Sequence, residues 1–273
     1  MKYIFFGSPR FANIVLQNLI NTGHSPMAIV CNPDKPVGRK KILTPPLTKT
    51  TATTDNISIL QPENVAQIRN ELKTLQPDFF IVAAYSQIIP TSILSIARLG
   101  TLGVHPSLLP LYRGATPIQS VLLNGEAQTG TSIYLIDEKM DHGPVVAQAT
   151  VTVNHTETYL SLEEKLAQLG AKSLNQIIPN ITDKIASASP QNHDLATFTK
   201  KIKTADGEVD MVNDDPEVIY KKIQALNPEP GPFTYSLPGY EGKRVKLLSA
   251  NFQNNDLKIT SIQPDGKRPI SLK

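Results

Sequence analysis

The sequence has a single cysteine, Cys31, among its 273 residues. That excludes a disulfide framework and any zinc site built on thiolates, and it suits a reducing compartment. No run of 18 apolar residues occurs, so no membrane-spanning helix is expected. In the opening MKYIFFGSPRF, Gly7 and Pro9 cut the apolar run short of a signal peptide, and a cytoplasmic protein is expected. The excess of basic over acidic residues is small too. Charged residues make up 19% of the chain and the net charge is +3, a balance that by itself requires no nucleic-acid or membrane partner. His24, His142, His155 and His193 lack metal-ligand spacing, so no metal is expected. What the chain does have is 40% hydrophobic residues, enough for a sizeable core.

Those apolar residues form short runs alternating with amphipathic stretches, the pattern of an α/β fold. Strands are predicted over residues 3–6, 27–31, 58–60, 78–84, 101–105, 131–136 and 145–153. Helices are predicted over 11–19, 65–75, 115–123 and 160–178. The run DFFIVAA at 78–84 is the most apolar and is expected centrally in a mostly parallel open sheet of Rossmann-like type. Residues 184–205 are polar and lysine-rich and read as a linker between a domain at 1–183 and a module at 206–273. That module carries a predicted helix over 218–226, a proline cluster at 227–232 and β-type runs at 245–248 and 257–262. A small OB-like β domain is expected there.

Three segments carry candidate chemistry. FFGSPRFA is a strand, a turn and a helix with one glycine rather than the three of a dinucleotide fingerprint, so NAD is not expected. A helix start after a parallel strand still collects N–H groups able to hold an anion. The segment CNPDKPVGRKKILTPPLTKT at 31–50 reads as a loop by its prolines, with Lys35, Arg39, Lys40, Lys41 and Lys49 against Asp34. A solvated face and a grip on nucleic-acid phosphates both remain open for it. The third segment, VHPSLLPLYRGATP, places His105 at the end of a predicted strand, where open α/β sheets bind ligands. Asp141, in the loop after the next strand, is its candidate partner. A carboxylate beside an imidazole fixes its tautomer and favours its charged form, making an acid–base unit. No serine elbow or cysteine nucleophile accompanies the pair, so acyl transfer would be direct.

Assembled, these residues resemble the methionyl-tRNA formyltransferases, members of the 10-formyltetrahydrofolate-dependent formyltransferase family, over nearly the whole chain. FFGSPRFA is similar to the family's opening, and NPDKPVGRKK resembles the basic loop that enters the acceptor stem of the initiator tRNA. AAYSQIIP resembles the wall of the folate pocket, HPSLLPLYRGATPIQ the family signature, and MDHG the loop of the catalytic aspartate. IQALNPEPGPFT and LKITSIQPDGKRPIS resemble pieces of the C-terminal domain special to the tRNA enzymes. The resemblance implies a formyltransferase-type sheet at 1–183 and a shortened OB-like tRNA-binding domain at 206–273. It implies folate contacts from Tyr85, Ser86, Gln87, Ile88, Ser107, Leu108, Leu109 and Pro110, and tRNA contacts from Lys35, Arg39, Lys40 and Lys41. His105 would donate to the oxyanion and to the leaving nitrogen, and Asp141 would take the amine proton. The implied partners are 10-formyltetrahydrofolate as co-substrate and the initiator methionyl-tRNA; nothing requires more than a monomer.

One position of the signature departs. The family carries an asparagine two residues before the histidine, and here that residue is Gly103. Gly103 can offer a backbone N–H or room for water, but no side-chain amide. The expectation is a wetter cavity beside His105, a slow enzyme, and a gain in turnover on Gly103→Asn. Two alternatives accompany this reading: formyl transfer to a nucleotide-linked amino sugar, and a degenerate homologue that binds folate or tRNA with low activity.

Overall fold

A computed structural model describes residues 1–38 and 40–272. The apolar runs become strands of one sheet, joined by helices whose apolar stripes cover it. In chain order come β1 (Tyr3–Phe6), α1 (Arg10–Asn21), β2 (Ala28–Val30), β3 (Lys35–Val37), β4 (Ile42–Thr44), α2 (Leu47–Thr54), β5 (Ser58–Leu60), α3 (Arg69–Leu75) and β6 (Phe79–Ala83). They are followed by α4 (Thr91–Leu94), β7 (Thr101–His105), α5 (Pro117–Asn124), β8 (Gln128–Leu135), β9 (Val145–Thr152), α6 (Tyr159–Ile177) and α7 (Ile181–Ala186). Last come α8 (Pro216–Leu226) and β10 (Phe233–Thr234), β11 (Val245–Gln253), β12 (Asp256–Pro264) and β13 (Ile270–Ser271).

The main sheet has the order β5-β2-β1-β6-β7-β8-β9, parallel from β5 through β7, with β8 antiparallel to β7. β1 and β6 are central and covered on both faces, which is why YIFF and FFIVA lack polar alternation. Ile4, Phe6 and Phe80 face Val30, Leu72 and Ile93 in one core layer. Tyr3 and Phe79 stack on the other face with centroids 5.1 Å apart. Truncating a fully buried ring such as Phe6 or Phe80 to alanine costs about 3–5 kcal/mol. The chain order reverses between β1 and β6, and the carboxyl ends of the strands at such a reversal are where α/β sheets bind ligands. Gly7 sits there because a Cβ would lie 2.6 Å from that of Ala12 and against the Ala83 carbonyl.

The chain forms two compact units. The first comprises Met1–Arg113, Gly130–Val151 and Glu164–Thr197; the second comprises Gly114–Thr129, Thr152–Glu163 and Phe198–Lys273. In the second unit β10-β11-β12-β13 form an antiparallel sheet, with Ile219 and Ile223 of α8 packed against Val245, Leu247 and Ile262.

Three stretches differ from expectation. The segment at 31–50 is not all loop: β3 and β4 pair as an antiparallel hairpin, and α2 begins at Leu47. Its threonines are poor helix formers, but the hydroxyl of the buried Thr48 donates to the Gly7 carbonyl at 2.9 Å, and Thr51 donates to Asn13 at 2.8 Å. Residues 184–205 are not a bare linker either. Ser189 bridges Val145 through both backbone groups, and Gln191 is buried. The stretch at 65–75 splits into a capped 3-10 turn, Val65–Ile68, and α3.

Candidate active site

β7 is buried along its whole length and delivers His105 at its carboxyl end. β8 runs back beside it with Gly103 opposite Tyr134 and His105 opposite Ser132. The loop after β8 then returns Asp141 to the imidazole. His105 Nδ1 lies 3.7 Å from Asp141 Oδ2, with side chains 7% and 14% exposed. The other ring nitrogen, Nε2, lies 2.9 Å from the Tyr112 carbonyl oxygen. A carbonyl only accepts, so Nε2 carries the hydrogen and Nδ1 is the nitrogen left for proton exchange. The tautomer is thus set by Tyr112 rather than by Asp141 as expected. The 3.7 Å gap exceeds a direct hydrogen bond and leaves Asp141 in electrostatic contact with the ring.

The Asp141 loop is held tightly. Asp141 has φ +50°, in the left-handed region that aspartate tolerates better than most residues. Gln191 Nε2 donates to the carbonyls of Asp141 (3.0 Å) and Gly143 (2.7 Å), while its Oε1 accepts from Nε and Nη2 of the buried Arg113. Gly143 packs against the Leu135 carbonyl so closely that no Cβ fits. Asp137 accepts from the Lys139 backbone N–H and pairs with His142 Nδ1 at 2.7 Å.

The space beside Gly103 is not left for water. The ring of Tyr134 lies over Gly103, and a Cβ there would stand 2.6 Å from its Cζ and 2.9 Å from its Oη. Tyr134 is 6% exposed, and its hydroxyl donates to Asp141 Oδ1 at 2.7 Å. Burial, and then the charge of Asp141, push the phenol pKa well above its usual value, so the group stays a donor. The expected wet cavity is therefore replaced by a ring.

The residues expected to line a folate pocket divide. Tyr85 rests edge-on against Phe6, and its hydroxyl is buried with no hydrogen-bond partner among the described residues. Burial first, and then Cys31, push this phenol up to about 12. Ser86 exchanges hydrogen bonds with Asn32, and Ile88 is 93% exposed. Gln87 spends its amide on the Val65 N–H and the Pro62 carbonyl, holding the neighbouring loop. Ser107 is buried and donates to the Leu111 carbonyl at 2.6 Å, and Leu108 is half-buried. Leu109 bonds Ser132 through its N–H and Gln148 through its carbonyl, and the Pro110 carbonyl accepts from Thr197.

Of the basic residues, Lys35 lies on β3, and Lys40 and Lys41 lie in the turn to β4, all exposed; Arg39 lies outside the described residues. Val37, Ile42 and Leu43 of the same hairpin are more than half exposed. Lys49 instead pairs with Asp34 at 2.8 Å at the hairpin's base. A hydrogen bond from Gln61, and then Lys49, hold the Asp34 carboxyl below the usual range.

Sequence reasoning missed Tyr112, Tyr134 and Gln191. A glycine inside the buried strand β7 was the available signal for a close neighbour across the ladder. Gln191 gave none, lying in a polar stretch. His142 and His193 stack at 4.0 Å, and His193 Nδ1 accepts from Arg113 at 2.9 Å. Loss of solvation, then the charges of His142, Arg113 and Lys139, hold the His193 pKa below its ordinary value.

A family model described as formyl transferase matches residues 1–178, and one described as formyl transferase, C-terminal domain, matches residues 201–258. The chain is 35% identical to the methionyl-tRNA formyltransferase of Chloroflexus aurantiacus, over 99% of this chain and 94% of that protein. It is 37% identical to that of Dictyoglomus thermophilum, over 100% and 88%. Among solved structures it is similar to HypX from Aquifex aeolicus in complex with tetrahydrofolic acid (TM-score 0.70, 16% identity), covering 100% of this chain but only 46% of that one. It is also similar to the N-formyltransferase from Helicobacter canadensis in complex with folinic acid and dTDP-3-aminofucose (TM-score 0.69, 17% identity), covering 99% and 98%. At these identities the two structures share its fold. The family match over residues 1–178 and the relatives spanning the chain agree: the chain belongs to the formyl transferase family.

Proposed function

We propose that the protein transfers the formyl group of 10-formyltetrahydrofolate to the amino group of the initiator methionyl-tRNA, with His105 and Asp141 as its catalytic residues. The observation that carries this reading is the buried His105–Asp141 pair at the carboxyl end of β7, in a chain whose relatives at 35–37% identity bear that enzyme's name. The residues present fit a folate. The unsatisfied hydroxyl of Tyr85 favours a polar edge of a ligand, because an unpaired buried donor is costly. Backbone groups of 85–88 and 107–110 would supply further contacts; the side chain of Gln87 is already committed.

The co-substrate supplies the formyl carbon. As the methionyl amine adds to it, the formyl oxygen gains negative charge and the amine must lose a proton. Tyr112 holds Nε2–H, so proton exchange falls to Nδ1 of His105. Protonated there, the imidazole donates to the charged oxygen or the leaving nitrogen. Asp141 Oδ2 stabilises that cation from 3.7 Å and accepts the amine proton. Lys35, Lys40 and Lys41 would grip tRNA phosphates as point charges on the hairpin, and Arg39 is proposed to join them.

The test is substitution with separate readings of kcat and KM. General acid–base groups contribute about 10²–10⁴-fold, so His105→Ala and Asp141→Asn should each lose roughly that in kcat with folate affinity nearly kept. Wild-type turnover in either variant removes that residue from the mechanism.

A further inference from the structure

We propose that Tyr134 is a positioning residue for the transfer, holding Asp141 against His105, and that Gly103 is glycine because the tyrosine ring needs its place. This rests on the functional reading given above. Gly103 and Tyr134 are direct partners across β7 and β8, so ring and glycine are set against each other by strand register. Any Cβ at 103 would meet the far edge of the ring, with Cζ at 2.6 Å and Oη at 2.9 Å. The ring also stands edge-on to His105, with centroids 6.5 Å apart and planes at 86°.

A ring that merely covered a glycine would need no hydroxyl. Here the hydroxyl donates to Asp141 Oδ1 at 2.7 Å, while Oδ2 faces His105 Nδ1 at 3.7 Å. The carboxylate's terminal torsion is broad and two-fold, so the backbone clamp on Asp141 does not by itself fix which way its oxygens point. The phenol helps to fix it: with Oδ1 tied to Tyr134, Oδ2 is presented to the imidazole. Burial keeps the phenol protonated, so the bond persists wherever Asp141 is ionised. A side-chain donor thus reaches the catalytic pair from β8, across the ladder from the position where the family signature carries one on β7.

The experiment compares wild type, Tyr134→Phe, Gly103→Ala and the double variant in formyl transfer to methionyl-tRNA, with crystal structures of each. Tyr134→Phe keeps the ring and the strand pairing and removes one oxygen. Its kcat should fall by about 10- to 100-fold, with KM for both substrates within about threefold, as expected for a misaligned catalytic group. Gly103→Ala should push the ring off Asp141 and lose a comparable factor. The double variant should lose no more than the worse single variant, because both changes remove one interaction. Unchanged kcat in Tyr134→Phe, or a double variant whose losses multiply, overturns the proposal. If the wild type fails to formylate methionyl-tRNA, the functional reading falls and the structures decide the positioning claim separately. Asp141 Oδ2 turning away from His105 in Tyr134→Phe supports it, and an Asp141 unmoved within about 0.5 Å refutes it.

Discussion

Gln191 lies 50 residues beyond Asp141 and holds the Asp141 loop through hydrogen bonds from its amide. Gln191→Ala would delete two bonds from the Arg113 guanidinium and two to the carbonyls of Asp141 and Gly143. Taken singly, bonds to a charged group contribute about 1.5–3 kcal/mol and neutral ones about 0.5–1.5 kcal/mol. They share one side chain and are not additive, and a broken buried network costs roughly 3 kcal/mol. For a unit of this size that lowers the Tm by about 6–12 °C. The functional loss separates from the stability loss in Gln191→Glu. A carboxylate still accepts from Arg113 but has no hydrogen for the two loop carbonyls, so it repels them. Both variants should lose about 10- to 100-fold in kcat, since displacement of a catalytic group by 1 Å costs about that much. The assays are calorimetric unfolding and single-turnover formyl transfer. A Gln191→Glu enzyme with wild-type kcat would refute the view that this amide positions Asp141.

Two further perturbations address other parts of the molecule. If the hairpin grips phosphates, the logarithm of tRNA affinity should fall against that of salt with a slope of about −0.7 to −0.9 per contact. Replacing Lys35 and Lys40 by Gln should flatten that slope and spare folate affinity; an unaltered slope returns the hairpin to a solvated face. His193 accepts from Arg113, and its pKa is held below the ordinary value of 6.5. Its contribution to stability is therefore full above pH 6.5 and is lost as pH falls through the depressed value. Tm followed from about pH 8 to about pH 5 should show wild type and His193→Gln converging at the acid end. Parallel curves would remove His193 from the acid response.

The sheet was legible because its central strands are buried on both faces. YIFF and FFIVA can be little else than buried strands, and the turn at Gly7 ends the first of them. His105 and Asp141 were legible for a different reason: one ends a strand and the other sits in a polar loop one strand later. What escaped was contact made by register and by polar side chains. Tyr134 reads as one more residue of a buried strand until β8 is aligned antiparallel to β7, and only then does it face Gly103. The helix α2 was hidden by its threonines, whose hydroxyls bond Gly7 and Asn13 across the fold. The anchoring around Gln191, a buried residue between exposed neighbours, was hidden by polar composition, since its bonds come from backbone groups and one amide.

The most direct test of the central claim is a competition for one labelled formyl group. The protein is given 10-formyltetrahydrofolate with initiator methionyl-tRNA and a dTDP-linked amino sugar together, and the label is followed into each. Label is expected in the tRNA fraction as formylmethionyl ester, abolished by His105→Ala, with none in the sugar. Label in the sugar alone would place the chain among the sugar formyltransferases, and label in neither would mark it as a binding homologue; both results contradict the account.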